Sequence, residues 1–129
     1  MHAVDTNVVV RYLAGDDAAQ AAKARAVIGQ VPVFVPKTVL LEAEWVLRSI
    51  YGLAPERVIP ALRAFAGLPG VVVEDASLVA RAMDWAEAGV DFADALHLAA
   101  AAGCEGFLTF DKRFARFGTR FSGIPVTAP

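Results

Sequence analysis

Cysteine, net charge and long apolar runs are all scarce in this sequence, and each scarcity excludes something. A single cysteine in 129 residues rules out an internal disulfide. That suits a reducing compartment, and a cytoplasmic location is expected. Cys104, behind Gly103 at the end of a helical stretch, is expected to be a small buried hydrophobe. Charged residues interrupt every apolar run well short of the roughly 20 needed to span a bilayer, so no membrane span is expected. The N-terminus lacks the basic region and long apolar core of a secretory signal. No repeat, low-complexity tract or linker stands out. A net charge of −2 gives the chain as a whole no electrostatic signature of nucleic-acid binding.

What is present is a core-forming composition, 57% hydrophobic and 20% charged. This excludes a disordered chain. The length fits one domain, residues 1–129, large enough to bury a real core. The charges are unevenly placed. Residues 112–129 hold Lys112, Arg113, Arg116 and Arg120 with no acid, a balance of +4. Residues 1–111 hold the other 8 basic and all 14 acidic residues, a balance of −6. An acidic body with a basic end segment could hold cations in one place and phosphates in another; a solvated helix face is the plain alternative.

Along the chain, apolar runs alternate with helical periods. Residues up to Val4 read as a first strand, and Val8 to Leu13 as a short helix stopped by Gly15. Asp16 and Asp17 cap a second helix that ends near Ile28 and Gly29. Val33–Val35, bounded by Pro32 and Pro36, reads as a strand. Lys37 to Tyr51 is helical, and Gly52 stops it. Pro55 starts a helix to about Phe65. Val71–Val73 is a third strand, followed by a helix from Asp75 or Ser77 to Ala88. Asp91 to Ala102 is another helix, Phe107–Thr109 a fourth strand, and Lys112 onward a short basic helix. Ile124–Val126 reads as an edge strand, where Pro125 is tolerated. Strands alternating with helices predict an α/β fold with a mainly parallel sheet of four to five short strands and helices on both faces.

Asp5 and Asp111 each lie just past the carboxyl end of a predicted strand, where ligands gather in parallel sheets. If those strands are neighbours, the two carboxylates share one edge. In the helix from Lys37, the predicted core stripe is Val39, Leu40, Ala43, Val46, Leu47 and Ile50. Glu42 and Glu44 flank it on opposite sides, and geometry does not choose between them. Asp91 and Asp94 lie three apart in the first turn of their helix. The plain reading of Asp5, Asp91 and Asp94 is a helix cap or first-turn acid; that of Glu42 is a solvated flank. Several carboxylates brought to one cleft would repel one another unless a hard cation neutralised them. Oxygen-only ligands without His or Cys point to Mg²⁺ or Mn²⁺ rather than zinc. Such ions suit phosphodiester chemistry, since they lower the pKa of a bound water and offset charge on phosphoryl oxygens.

Taken in order, Asp5-Thr6-Asn7, Glu42 within Leu41-Glu42-Ala43-Glu44-Trp45-Val46-Leu47, Asp91-Phe92-Ala93-Asp94-Ala95-Leu96-His97, and Thr109-Phe110-Asp111 resemble a PIN domain. More narrowly, the chain resembles a VapC-type toxin ribonuclease of a type II toxin–antitoxin system, over essentially its whole length. The resemblance implies a PIN-like three-layer sandwich and a metal-dependent endoribonuclease that hydrolyses RNA phosphodiester bonds. It implies an acidic pocket of Asp5, Glu42, Asp94 and Asp111, favouring Glu42 over Glu44 and Asp94 over Asp91. Asp5 and Asp94 would be the main metal ligands, for Mg²⁺ or Mn²⁺. Glu42 and Asp111 would complete the shell, hold a second ion or orient the attacking water. Thr6 and Asn7 would fix the Asp5 loop, and the basic residues of 112–120 would hold substrate phosphates.

His97, three residues after Asp94, reads as a packed or hydrogen-bonded helix residue rather than a general base. Trp85 reads as core. Leu41 and Trp45 project away from the predicted core stripe, which suggests burial against a neighbouring element or another chain. The resemblance implies an antitoxin wrapped on this surface and a toxin homodimer. Alternatives are a housekeeping PIN nuclease in RNA processing and a non-catalytic interaction module of the same fold. A phosphoryl-aspartate receiver is disfavoured, because Lys112 follows Asp111 without a strand of its own.

Overall fold

Three short strands and the helices between them build the first part of the chain. The computed structural model describes residues 1–129, which divide into two compact units, Met1–Ala76 and Ser77–Pro129. In the first unit the strands are β1 (His2–Ala3), β2 (Val33–Val35) and β3 (Val71–Val73). They form one all-parallel sheet in the order β1-β2-β3. Val33 pairs with Val71, and His2 pairs with Val33. Val33 and Val35 are wholly buried in the central strand, as β-branched residues are in a covered parallel sheet.

Helix α1 (Thr6–Ala14) ends on Gly15, whose φ of 67° takes the left-handed cap conformation that glycine adopts without penalty. Helix α2 (Ala18–Val27) is capped by Asp17, which accepts from the Gln20 amide. Arg11 links the two helices: its guanidinium donates to Gln20, Asp16 and the Tyr51 hydroxyl. Helix α3 (Lys37–Trp45) follows Pro36, which has no capping side chain. Glu74, just past β3, accepts from the Lys37 amide at 2.9 Å and takes the cap's place. Asp75 pairs with the Lys37 ammonium at 2.5 Å. Helix α4 (Pro55–Ala66) contributes Val58, Ile59, Leu62 and Phe65 to the core.

Between α3 and α4 the helix widens into a π-turn over Val46–Ile50, closed by the Tyr51 amide on the Val46 carbonyl. A π-turn uses an extra residue per turn. Positions beyond Val46 therefore lag behind the regular helical wheel. Leu47 stays buried, but Ile50, expected in the core, is 65% exposed.

The second unit contains α5 (Ala76–Glu87, apart from its first residue), α6 (Phe92–Ala100), β4 (Phe107–Leu108), α7 (Lys112–Ser122) and β5 (Val126–Thr127). Leu98, Phe114 and Val126 form its core, with Trp85, Phe107, Ala115 and Ile124 packed on it. The Phe107 and Phe114 rings lie 5.0 Å apart. Helix α7 lies so close to β5 that a Cβ on Gly118 would sit 2.7 Å from a Val126 methyl. Thr119 Oγ1 accepts the Val126 amide at 2.9 Å across the same contact.

The fold is α/β with seven helices and parallel strands, as the sequence predicts. The five strands form two ladders rather than one. In the first unit β1 pairs with β2, and in the second β4 pairs with β5. Strands of two or three residues carry too little pattern to specify their partners. Cys104 also departs from expectation. It is exposed, because α6 ends at Ala100 and Cys104 sits in a surface turn with its amide on the Ala101 carbonyl.

Candidate active site

Asp5 stands where β1 hands over to α1. The Val4 amide on the Phe34 carbonyl fixes the strand end, and Asp5 itself is extended. Its Oδ1 accepts from the Thr6 amide at 2.7 Å, so Asp5 caps α1. The Thr6 side chain is buried and does something else: its hydroxyl donates a short hydrogen bond to Glu42 Oε1. Asp5, Thr6, Thr38, Leu41, Glu42 and Trp45 line one cleft of about 540 Å³. The first unit thus brings Asp5 and Glu42 together with a single threonine between them.

Glu42 and Glu44, equivalent on the helical wheel, have different surroundings. Glu42 is exposed on the cleft, whereas Glu44 is 6% exposed and paired with Arg48 one turn later, Nε to Oε2 at 2.8 Å. Asn7 lies apart from the cleft. It borders a separate groove of about 570 Å³ with Val8, Arg11, Gln20 and Lys23. The expectation that Thr6 secures the Asp5 loop agrees with this geometry; for Asn7 it does not.

In the second unit the acids collect at two helix starts. Asp91 caps α6 and accepts from the Asp94 amide at 3.2 Å. Asp111 caps α7 and accepts from the Arg113 and Phe114 amides at 2.9 and 3.0 Å. Asp94 caps nothing. Burial pushes its carboxyl above the ordinary aspartate range, the carboxylates of Asp91 and Asp111 push it further, and His97 opposes them. His97 is exposed rather than packed. The plain capping reading therefore describes Asp5 and Asp91, and also Asp111. Asp94 is not a cap but the first-turn acid of α6, as the other half of that reading has it, and it is partly buried and crowded by its own kind.

In neither unit do three or more His, Cys, Asp or Glu side chains gather around a ready-made cation position. The donors present are carboxylate oxygens in small groups, with a threonine hydroxyl beside one of them. That donor set fits Mg²⁺ or Mn²⁺, which keep several waters and take one or two protein carboxylates. Asp94 gives the fit an electrostatic basis, since a cation near it would offset the charge that now disfavours its ionisation.

Thr38 was not singled out by motif. It precedes Glu42 by one helical turn and so shares its face of α3, a spacing that would have placed it on the cleft. Trp45, on the same cleft, is 52% exposed.

A family model described as the PIN domain matches residues 3–119. Comparison with curated proteins and with solved structures returned no match. The family model takes in both strand-end aspartates, the Glu42 helix and the Asp91–Asp94 helix start, and the chain belongs to the PIN domain family.

Proposed function

We propose that this PIN domain is a Mg²⁺- or Mn²⁺-dependent endoribonuclease and the toxin of a toxin–antitoxin pair. PIN domains are typically nucleases, act generally on RNA and generally use divalent metal ions. The observation that carries the reading here is the cleft on which Thr6 holds the carboxylates of Asp5 and Glu42 together; the Asp94 carboxyl, raised by burial and by two neighbouring acids, supports it. Perturbed ionisation clusters at functional sites, where burial and like charges are brought together.

Asp5 and Asp94 are assigned as the metal ligands, with Glu42 and Asp111 as their partners in catalysis. A bound divalent cation supplies positive charge toward the phosphodiester and makes a coordinated water easier to ionise. The protein's share is positioning. Thr6 holds Glu42 by Oε1 and leaves Oε2 for a water in the cleft. Asp5 is fixed by the Thr6 amide through one oxygen and keeps the other for a ligand. Lys112, Arg113, Arg116 and Arg120, all exposed on α7, offer the positive charge that substrate phosphates require.

The toxin assignment rests on the resemblance together with Trp45, a large ring half exposed on the α3 face that carries Glu42. A cognate antitoxin and a second copy of the chain are the partners assigned. No helix is long and apolar enough to cross a membrane, and a cytoplasmic enzyme is the reading that suits a lone free cysteine. The test is cleavage of single-stranded RNA by purified protein with Mg²⁺, with chelator, and with Asp94→Asn. For the toxin role it is growth arrest on expression, relieved by the antitoxin.

A further inference from the structure

Phe110 is 86% exposed, more than any other large hydrophobic residue of the chain. A lone exposed hydrophobe needs no explanation by itself. Phe110 differs in how firmly its backbone is held. On its N-terminal side the Thr109 amide donates to the Thr127 carbonyl at 2.9 Å. On its C-terminal side the Asp111 amide donates to Thr109 Oγ1 at 3.0 Å, and Asp111 Oδ1 takes the Arg113 and Phe114 amides. The ring is therefore carried on a tied turn, in front of a helix whose first residues are Lys112 and Arg113.

The surroundings select a kind of ligand. From residue 112 onward the chain carries four cations and no acid. Arg113 lies over the Phe117 ring at 5.8 Å and Arg120 over Phe121 at 5.6 Å, so aromatic and cationic groups interleave along α7. An apolar protein partner would have to desolvate those cations. A single-stranded nucleic acid satisfies both features at once, with bases for the ring and phosphates for the cations.

We propose that Phe110 is a stacking platform for an unpaired RNA base, with the adjoining phosphates on Lys112, Arg113 and Arg116. This rests on the ribonuclease reading and adds to it a residue that selects single-stranded substrate. Stacking accepts every base, so the ring favours unpaired RNA without dictating its sequence. Because Asp111 follows Phe110 directly, the stacked nucleotide would lie beside an acid assigned to catalysis.

The test is binding of a labelled single-stranded RNA about ten nucleotides long, measured by fluorescence anisotropy in the Asp94→Asn background. Steady-state cleavage is measured in the otherwise wild-type chain. Phe110→Ala is expected to weaken binding about five- to a hundredfold, the range of one aromatic–base stack. It should raise KM while leaving kcat nearly unchanged, and Phe110→Trp should restore both. An RNA of the same length lacking bases should bind wild type and Phe110→Ala equally. Exposure of the ring makes misfolding an inadequate explanation of a loss, and thermal melting checks this. Wild-type cleavage with unaltered KM in Phe110→Ala overturns the stacking role and leaves the ribonuclease reading standing. Loss of self-association in Phe110→Ala at unchanged RNA affinity overturns it too, and makes the ring a protein contact. Absence of RNA cleavage by the wild-type protein removes both.

Discussion

Thr6 donates its hydroxyl hydrogen to Glu42 across 36 residues of sequence, while its own amide donates to the carboxylate of Asp5. One buried threonine thus orients two acids that reach the same cleft from different elements. Neither acid needs to be buried for this, and neither is.

Removing that hydroxyl should therefore cost activity more than stability. Thr6→Val is expected to lower RNA cleavage about 10- to 100-fold, as loss of a group that orients a catalytic carboxylate does. The fold should lose only about 1 kcal/mol, the net worth of one hydrogen bond. Thr6→Ser should restore cleavage. Wild-type turnover in Thr6→Val would show that Glu42 needs no positioning.

The two glutamates of α3 should separate cleanly under mutation. Glu42→Gln is expected to abolish most cleavage at unchanged melting temperature, because its side chain is exposed on the cleft. Glu44→Ala removes a buried carboxylate from its ion pair with Arg48. It should destabilise the chain by about 1–3 kcal/mol, the usual cost of losing a hydrogen bond to a charged group. The folded fraction should cleave normally. The reverse pattern would exchange their roles.

Asp94 links stability to pH. Burial and its neighbours hold its folded carboxyl above the unfolded value, so folding opposes its ionisation. Its contribution favours the native state fully below the unfolded value and is lost as pH rises through the raised folded one. In metal-free buffer near neutrality, Asp94→Asn should therefore melt at a higher temperature than wild type. The gap should close toward acid, where protonated Asp and Asn are equally uncharged. Mg²⁺ should raise the melting temperature of wild type and do so less for Asp94→Asn, by the linkage of ligand binding to folding. A lower melting temperature for Asp94→Asn at neutral pH would mean that the carboxylate is structural.

Gly118 tests the packing of α7. A methyl group there must displace Val126, 3% exposed beneath the helix. Gly118→Ala should destabilise the chain by about 1–3 kcal/mol, the range for overpacking a tight contact. Adding Val126→Ala should recover part of the loss, a non-additivity expected only of touching residues.

Much of this fold is legible in the sequence wherever one residue has one job. Val33–Val35 and Val71–Val73 are strands at the residues predicted, because β-branched runs between Pro or Gly leave little choice. Gly15 ends α1 as predicted. The failures fall where local pattern and tertiary structure diverge. Ile50 reads as core on a regular wheel, and only the π-turn carries it outward. Cys104 reads as apolar and buried until α6 stops two residues earlier than expected. The pairing of β4 with β5 has no local signature in strands of two residues. Position relative to the core stripe did not separate Glu42 from Glu44; the difference lies in their partners, Arg48 one turn along the same helix for Glu44 and Thr6, from another element, for Glu42.

The most direct measurement is the rate at which purified wild-type and Asp94→Asn proteins cut single-stranded RNA in Mg²⁺, with a chelator control. Internal cleavage by wild type, lost both with chelator and in a folded Asp94→Asn protein, is the result expected. Asp94→Asn cutting RNA at the wild-type rate, or wild type cutting undiminished in chelator, would contradict the metal-dependent ribonuclease assigned here.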